Sequence, residues 1–218
     1  MITIYKAVIF DLDGTLLDTL GDLHAAVNHA LRAFSFPERS LEEVRRFIGN
    51  GVVKLMQRST PENTDEKTDK ECLDVFREYY LIHMRDMTAP YKGVIELIEK
   101  LREKGIKTAV VSNKLHQAVY ELCQDYFPGL IDEAIGVSIE SERKPSPVNV
   151  YKAMEKLGVS ADECIYIGDS EVDVQTSHNA GVKCIGVTWG FRDREELVEA
   201  GAEMIADNCD EIYRIIID

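Results

Sequence analysis

The chain has 218 residues, 45% hydrophobic and 29% charged, which suits a folded globular protein and excludes a disordered chain or a disulfide scaffold. Its formal net charge of −14 excludes sequence-independent binding to nucleic acid or to an anionic membrane, so an anionic substrate would have to be drawn in by a local cation. The five cysteines, Cys72, Cys123, Cys164, Cys184 and Cys209, form no C-x-x-C pair and read as core residues of a reduced compartment; no apolar run is long enough for a signal peptide or a membrane span, and the cytoplasm is the expected location.

The run Tyr5 to Phe10 is short, apolar and rich in β-formers, a pattern that predicts a buried parallel strand ending at the acidic turn "DLDGT". From residue 17 to 89 the periodicity is helical with almost no strand signal. This stretch carries a capping box, Ser40 to Glu43, then a polar loop "STPENTDEKT", then an amphipathic segment from Asp65 to about Met84. A further helix is predicted over 92–104, with Val94, Ile95, Leu97, Ile98 and Leu101 on one face and Gly105 as its stop. Next come a strand "IKTAVVS" ending at Ser112, and a helix capped by Ser146, opened by Pro147 and closed by Gly158. The strand "CIYIG" leads into Asp169. A helix from Glu171 to Ala180 stops at Gly181, and "VKCIGV" forms a last strand before the Trp189 loop. Alternating strands and helices of this length predict an α/β fold with a doubly wound parallel sheet. The predicted domains are a catalytic core from 1–16 and 90–218 and a helical insertion over 17–89.

Four polar clusters fall at or beyond the carboxyl ends of these strands, where a doubly wound sheet places its active site. Asp11 and Asp13 offer two carboxylates two residues apart, one able to attack phosphorus and the other to move a proton. Gly14 allows a tight turn, and the backbone amides after Asp11, with Thr15, are candidates for holding phosphate oxygens. Ser112 and Asn113 can donate hydrogen bonds to a phosphate without adding charge, and Lys144 supplies an ammonium able to pair with both the phosphate and Asp11. The fourth cluster, "GDSEVD", places Asp169 to bind metal, with Asp173 four residues on. Gathering four aspartates against Lys144 alone would repel a phosphate unless a divalent cation sat among them. Mg²⁺, held by Asp11, Asp169 and the backbone carbonyl of Asp13, suits that oxygen-only shell. Each cluster alone has a plainer explanation as a turn, a helix cap or a surface loop; their joint occurrence around one sheet points to phosphoryl transfer.

The segments "FDLDGTLLDT", "VVSNK", "KPSP" and "IGDSEVD" resemble, in order, the four motifs of the haloacid dehalogenase superfamily, and the resemblance spans nearly the whole chain. It implies a Rossmann-like core, a helical cap of the C1 type inserted after the first motif, and Mg²⁺-dependent catalysis through a phospho-aspartate. By that likeness Asp11 is the nucleophile, Asp13 the acid and base, Ser112 and Lys144 phosphate contacts and Asp169 a metal ligand, with Asp173 standing behind the metal. Asp13 sets the chain apart from the dehalogenases and phosphonatases of the superfamily. "GDSEVDVQTSHNAG", "VTWGFRDREEL" and "RRFIGNGVVKLM" are most similar to phosphoglycolate phosphatases. A β-phosphoglucomutase-like phosphotransferase, a pyrophosphatase and a non-catalytic binding protein on the same fold are the alternatives.

Within the insertion, Gly49, Asn50 and Gly51 are candidates to meet the organic part of the substrate, with Arg45 or Arg46 adding a cation; a helix end with two solvated arginines explains the same residues equally well. His24 and His29 read as structural or solvated rather than catalytic, and Trp189 as packing for its loop. The expected partner is a small anionic phosphorylated metabolite, and the expected state a monomer or small homo-oligomer.

Overall fold

A computed structural model describes residues 5–217. Its main sheet contains β1 (Ala7–Phe10), β4 (Lys107–Leu115), β5 (Glu133–Val137), β6 (Cys164–Gly168), β7 (Lys183–Val187) and β8 (Met204–Ala206), with β2 (Leu17–Asp18) and β3 (Ala89–Pro90) paired as a separate ribbon. The main sheet runs β5-β4-β1-β6-β7-β8 with every pair parallel. Residue 7 of β1 stands opposite residue 107 on one side and residue 164 on the other, so the first strand is central. Parallel strands need a covering layer on both faces, and the alternation along β1 supplies it: Val8 and Phe10 enter one core, Ala7 and Ile9 the other. The first core is closed by α5 (Val94–Glu103), α6 (His116–Tyr126) and α10 (Cys209–Ile217), the second by α7 (Val148–Leu157) and α8 (Glu171–Ala180). The short α9 (Arg194–Glu199) leads into β8 and buries Leu197. This is a Rossmann-like, doubly wound α/β fold, and its strand order reverses beside β1.

The chain divides into two compact units, one containing residues up to Leu17 together with Pro90 onward, the other Asp18–Ala89. The second unit is helical: α1 (Leu20–Ala33), α2 (Leu41–Phe47), α3 (Gly51–Ser59) and α4 (Glu66–His83). Its boundaries follow local chemistry. Ser40 and Glu43 form the capping box at the start of α2, and the Asp65 carboxylate accepts from the Lys67 and Thr68 amides at the start of α4. At the end of this unit Asp22 is buried and accepts from the Met87 and Thr88 amides at 2.9 Å each. No helix among the described residues is long and apolar enough to cross a membrane.

Two expectations about local structure are corrected. The cap position of α7 is Pro147, with φ −80° and ψ 0°, and Ser146 lies one residue outside, where its amide closes a turn onto the Arg143 carbonyl (3.0 Å). The strand expected to stop at Ser112 continues to Leu115, with a register irregularity against β5 between Val111 and Leu115. The five cysteines are free and buried; burial pushes the Cys123 and Cys164 thiols up to about 12, which leaves them inert.

Candidate active site

β1, β4 and β6 are neighbours in the sheet, so the residues that follow their last apolar positions converge. Asp11 follows β1, Ser112 to Lys114 form the distal part of β4, and Asp169 follows β6; Lys144 arrives from the loop before α7. Lys144 Nζ lies 2.8 Å from Asp11 Oδ1, 2.7 Å from Asp173 Oδ1 and 3.2 Å from Tyr166 Oη, with all four residues buried. Asp173 is held from its other side by Ser170, whose amide and hydroxyl donate to Oδ2 at 3.1 and 2.6 Å. Carboxylate oxygens of Asp11, Asp169 and Asp173 lie within 4.8 Å of one another.

Burial alone would drive the Lys144 ammonium toward its neutral form, but Asp11 and Asp173 outweigh it and hold its pKa well above the usual lysine value. The opposite outcome holds for Asp11. Burial first, then the Asp173 charge, raises its carboxyl well above the usual carboxylate range against the pull of Lys144. Burial and then Asp173 likewise push Asp169 up to about 7. One ammonium therefore does not neutralise three buried carboxylates.

The donor set is suited to a hard divalent cation. Asp11 Oδ1 is buried without a well-directed hydrogen bond, because its Lys144 contact has the distance of one but not the angle, and every ligand available is oxygen. Both Asp173 oxygens accept hydrogen bonds, Oδ1 from Lys144 and Tyr166 and Oδ2 from Ser170. Asp169 is oriented by Thr15, whose hydroxyl donates to Oδ1 (3.2 Å), and by the Phe191 amide, which donates to Oδ2 (2.6 Å).

The turn after β1 and the loop after β7 are pressed together around Asp169. Gly14 has φ +85°, and a Cβ there would lie 2.3 Å from Asp169 Oδ2; a Cβ on Gly190 would lie 2.4 Å from the Asp169 Cβ and from the Gly14 carbonyl. The Trp189 indole N–H donates to the Thr15 carbonyl (3.1 Å), pinning the two loops.

The haloacid dehalogenase-like hydrolase model matches residues 8–187, from the strand before Asp11 to the end of β7. The chain belongs to this family. Among its relatives, the phosphoglycolate phosphatase of Pseudomonas syringae pv. tomato is 32% identical over 209 residues, covering 93% of this chain and 76% of its own. That of Vibrio parahaemolyticus is 31% identical, covering 97% and 96%. A crystal structure from Lactobacillus delbrueckii subsp. bulgaricus, described as a candidate phosphoglycolate phosphatase, superposes with a TM-score of 0.94 at 37% identity over 98% of both chains. With these relatives, the chain is a phosphatase of the haloacid dehalogenase-like family.

The motif residues of this family are brought together here, and several have protein partners that the sequence did not announce. Thr15 and Asn113, expected as phosphate contacts, also have protein partners: the Thr15 hydroxyl donates to Asp169, while the Asn113 amide accepts from the Lys144 backbone N–H (2.7 Å) and donates to the Lys144 carbonyl (3.4 Å). Ser112 is buried, and its oxygen accepts from the Lys114 amide (3.2 Å), leaving the O–H to donate. Lys144 is not the sole cation, because Lys114 Nζ lies 2.9 Å from Asp13 Oδ1. Ser112 and Lys114 share one side of a strand by the two-residue alternation, so "VVSNK" already carried a signal for Lys114. Tyr166 carried none beyond a polar-tipped aromatic on a buried strand.

In the helical unit, Asn50 stands at the cap position of α3 and its Oδ1 accepts from Arg58 Nη2 (2.6 Å), with Gly49 and Gly51 on either side at φ +130° and +80°. Arg45 and Arg46 both pair with Glu42, and Arg46 is largely exposed. His24 contacts Asn28 and the Arg39 carbonyl, and His29 stacks on Tyr79, as expected of structural histidines.

Proposed function

We propose that this phosphatase hydrolyses a small organic phosphate monoester, 2-phosphoglycolate first, in the cytoplasm, with Mg²⁺ and a phospho-aspartate on Asp11. The observation that carries the reading is the buried cluster of Asp11, Asp169 and Asp173 around Lys144, which is short of positive charge by about the amount a divalent cation would bring. Asp11 and Asp169, with the backbone carbonyl of Asp13, would hold Mg²⁺, whose charge offsets that of the phosphate oxygens when it is bound.

In the first step an Asp11 carboxylate oxygen attacks phosphorus, the ester P–O bond breaks, and Asp13 gives its proton to the departing alkoxide. In the second step Asp13 takes a proton from water, whose oxygen attacks the same phosphorus, releasing inorganic phosphate and restoring the Asp11 carboxylate. Lys144, fixed by Asp173, Tyr166 and Asn113, keeps the Asp11 carboxylate oriented and supplies positive charge to the phosphate; Ser112 donates a neutral hydrogen bond. The helical unit, including Gly49, Asn50 and Gly51, is assigned the role of selecting the organic group and excluding water during phosphorylation.

A steady-state screen over several dozen phosphate esters tests the reading. A kcat/KM for phosphoglycolate well above that for generic esters is expected. Values no higher than for those esters would remove the substrate while leaving a phosphatase, and conversion of β-glucose 1-phosphate to glucose 6-phosphate without phosphate release would move the chain to the mutases.

A further inference from the structure

Lys114 is the one charged side chain at this strand end for which the chemistry above has no use. Its Nζ lies 2.9 Å from Asp13 Oδ1, and its side chain is 8% exposed against 17% for Asp13. Its backbone is tied to the catalytic layer, because the Lys114 amide donates to the Ser112 hydroxyl oxygen that also faces the site. As with Asp11 and Lys144, the contact has ion-pair distance without the direction of a hydrogen bond, and Asp13 Oδ1 is left buried without a hydrogen-bond donor. A lysine is costly to bury, and this one is buried beside a group whose proposed work requires contact with the leaving oxygen of the substrate.

We infer that Lys114 is a specificity-determining residue that binds a carboxylate carried on the carbon next to the ester oxygen, so the preferred substrates are phosphate esters of 2-hydroxy acids. The inference rests on the proposed phosphatase chemistry and deepens it. When Asp13 hydrogen-bonds the leaving oxygen through one carboxylate oxygen, Lys114, at contact distance from Oδ1, would stand toward atoms two and three bonds from that leaving oxygen. In 2-phosphoglycolate those atoms are the carboxylate carbon and its two oxygens. An ammonium already at contact distance from Asp13 and largely shielded from water forms an ion pair there that is little screened, and in a protein of net charge −14 the pair also offsets the repulsion a dianionic ester with an extra carboxylate would meet. The same geometry disfavours esters whose carboxylate is one carbon further away, so 2-phosphoglycerate should be preferred to 3-phosphoglycerate. A neutral analogue such as 2-hydroxyethyl phosphate offers Lys114 no anionic group.

The experiment measures kcat/KM for 2-phosphoglycolate and for 2-hydroxyethyl phosphate in the Mg²⁺-loaded full chain, wild type, Lys114→Met and Lys114→Arg. Wild type should favour phosphoglycolate. In Lys114→Met both rates fall, because Asp13 loses a neighbour, but the ratio of the two should fall on the order of 10- to 100-fold, as for a lost hydrogen bond to a charged group, and Lys114→Arg should keep most of it. An equal loss on both substrates, with the ratio unchanged, would show that Lys114 serves Asp13 alone and overturn the assignment. Should Lys114→Met fail to fold, the wild-type ratio still decides: turnover of both esters without preference for the carboxylate overturns it. Absence of turnover for every phosphate ester would instead refute the phosphatase chemistry on which it rests.

Discussion

The carboxyl edge of the sheet and the surface of helix α2 contain the same kind of contact, a basic side chain about 3 Å from a carboxylate, with opposite consequences. Arg46 and Glu42 lie 3.0 Å apart with side chains 76% and 55% exposed, so water and salt screen the pair and its loss would hardly register. Lys144 sits 2.7 and 2.8 Å from Asp173 and Asp11 with a side chain 5% exposed, where desolvation has already been suffered and removing the cation strands the two carboxylates. Distance alone does not distinguish the two; burial does. The comparison also explains why Asp11 and Asp169 have raised pKa values while the cation between Asp11 and Asp173 stays charged.

The comparison is broken most forcefully by Asp11→Asn. Removing the proposed nucleophile should lower kcat for p-nitrophenyl phosphate by on the order of 10⁴ or more, while the midpoint of thermal unfolding stays the same or rises, because a charge disfavoured by burial and by Asp173 is gone. Retained activity with a native circular dichroism spectrum would end the covalent reading. Lys144→Met is the next largest: it leaves Asp11 and Asp173 facing each other without their cation and should cost about 3–5 kcal/mol in urea unfolding, against less than about 0.5 kcal/mol for Arg46→Ala on α2. Equal costs would show that burial is not what separates them.

A third measurement concerns the missing positive charge. Exhaustive chelation should abolish turnover and Mg²⁺ restore it, Ca²⁺ should inhibit, and Mg²⁺ at about 100 times its Kd should stabilise the wild type by about 2.7 kcal/mol. Asp169→Asn should lose most of that stabilisation; a Mg²⁺-induced shift of the same size in the variant would remove Asp169 from the shell. The smallest effect belongs to the helical unit, where Ser40→Ala should cost about 1 kcal/mol, the usual worth of a helix cap, with no effect on metal binding.

Much of this was written locally in the chain. β1 and β6 are apolar runs ending at acids, α8 stops at Gly181 as expected, with that glycine left-handed, and Asp65 caps α4, so each boundary has a residue whose own chemistry makes it. Where the local signal is thin, the reading fell short. β8 has three residues and β2 and β3 two each, too few to show alternation, and β5 carries Glu133 and Gly136 within its five. The same division holds in the site. Asp11, Asp13, Lys144 and Asp169 stand out in the sequence because carboxylates and an ammonium at strand ends point to one chemistry. The duties of Thr15, Asn113 and Tyr166 depend on which strands are neighbours, and so did the part played by Phe191, whose backbone amide holds Asp169 whatever its side chain.

The central position of β1 has a consequence for how the chain is made. A ribosome releases residues 7–10 first, yet their two neighbours in the sheet are residues 107–110 and 164–167, so the earliest strand must wait for most of translation before either flank exists. Helices α1 to α4 have their partners within the same short span and can assemble while β1 is still unpaired. Asp11 and Asp169 therefore meet only after β6 has emerged, and a nascent chain arrested before that strand should carry a folded helical unit and no phosphatase activity at all.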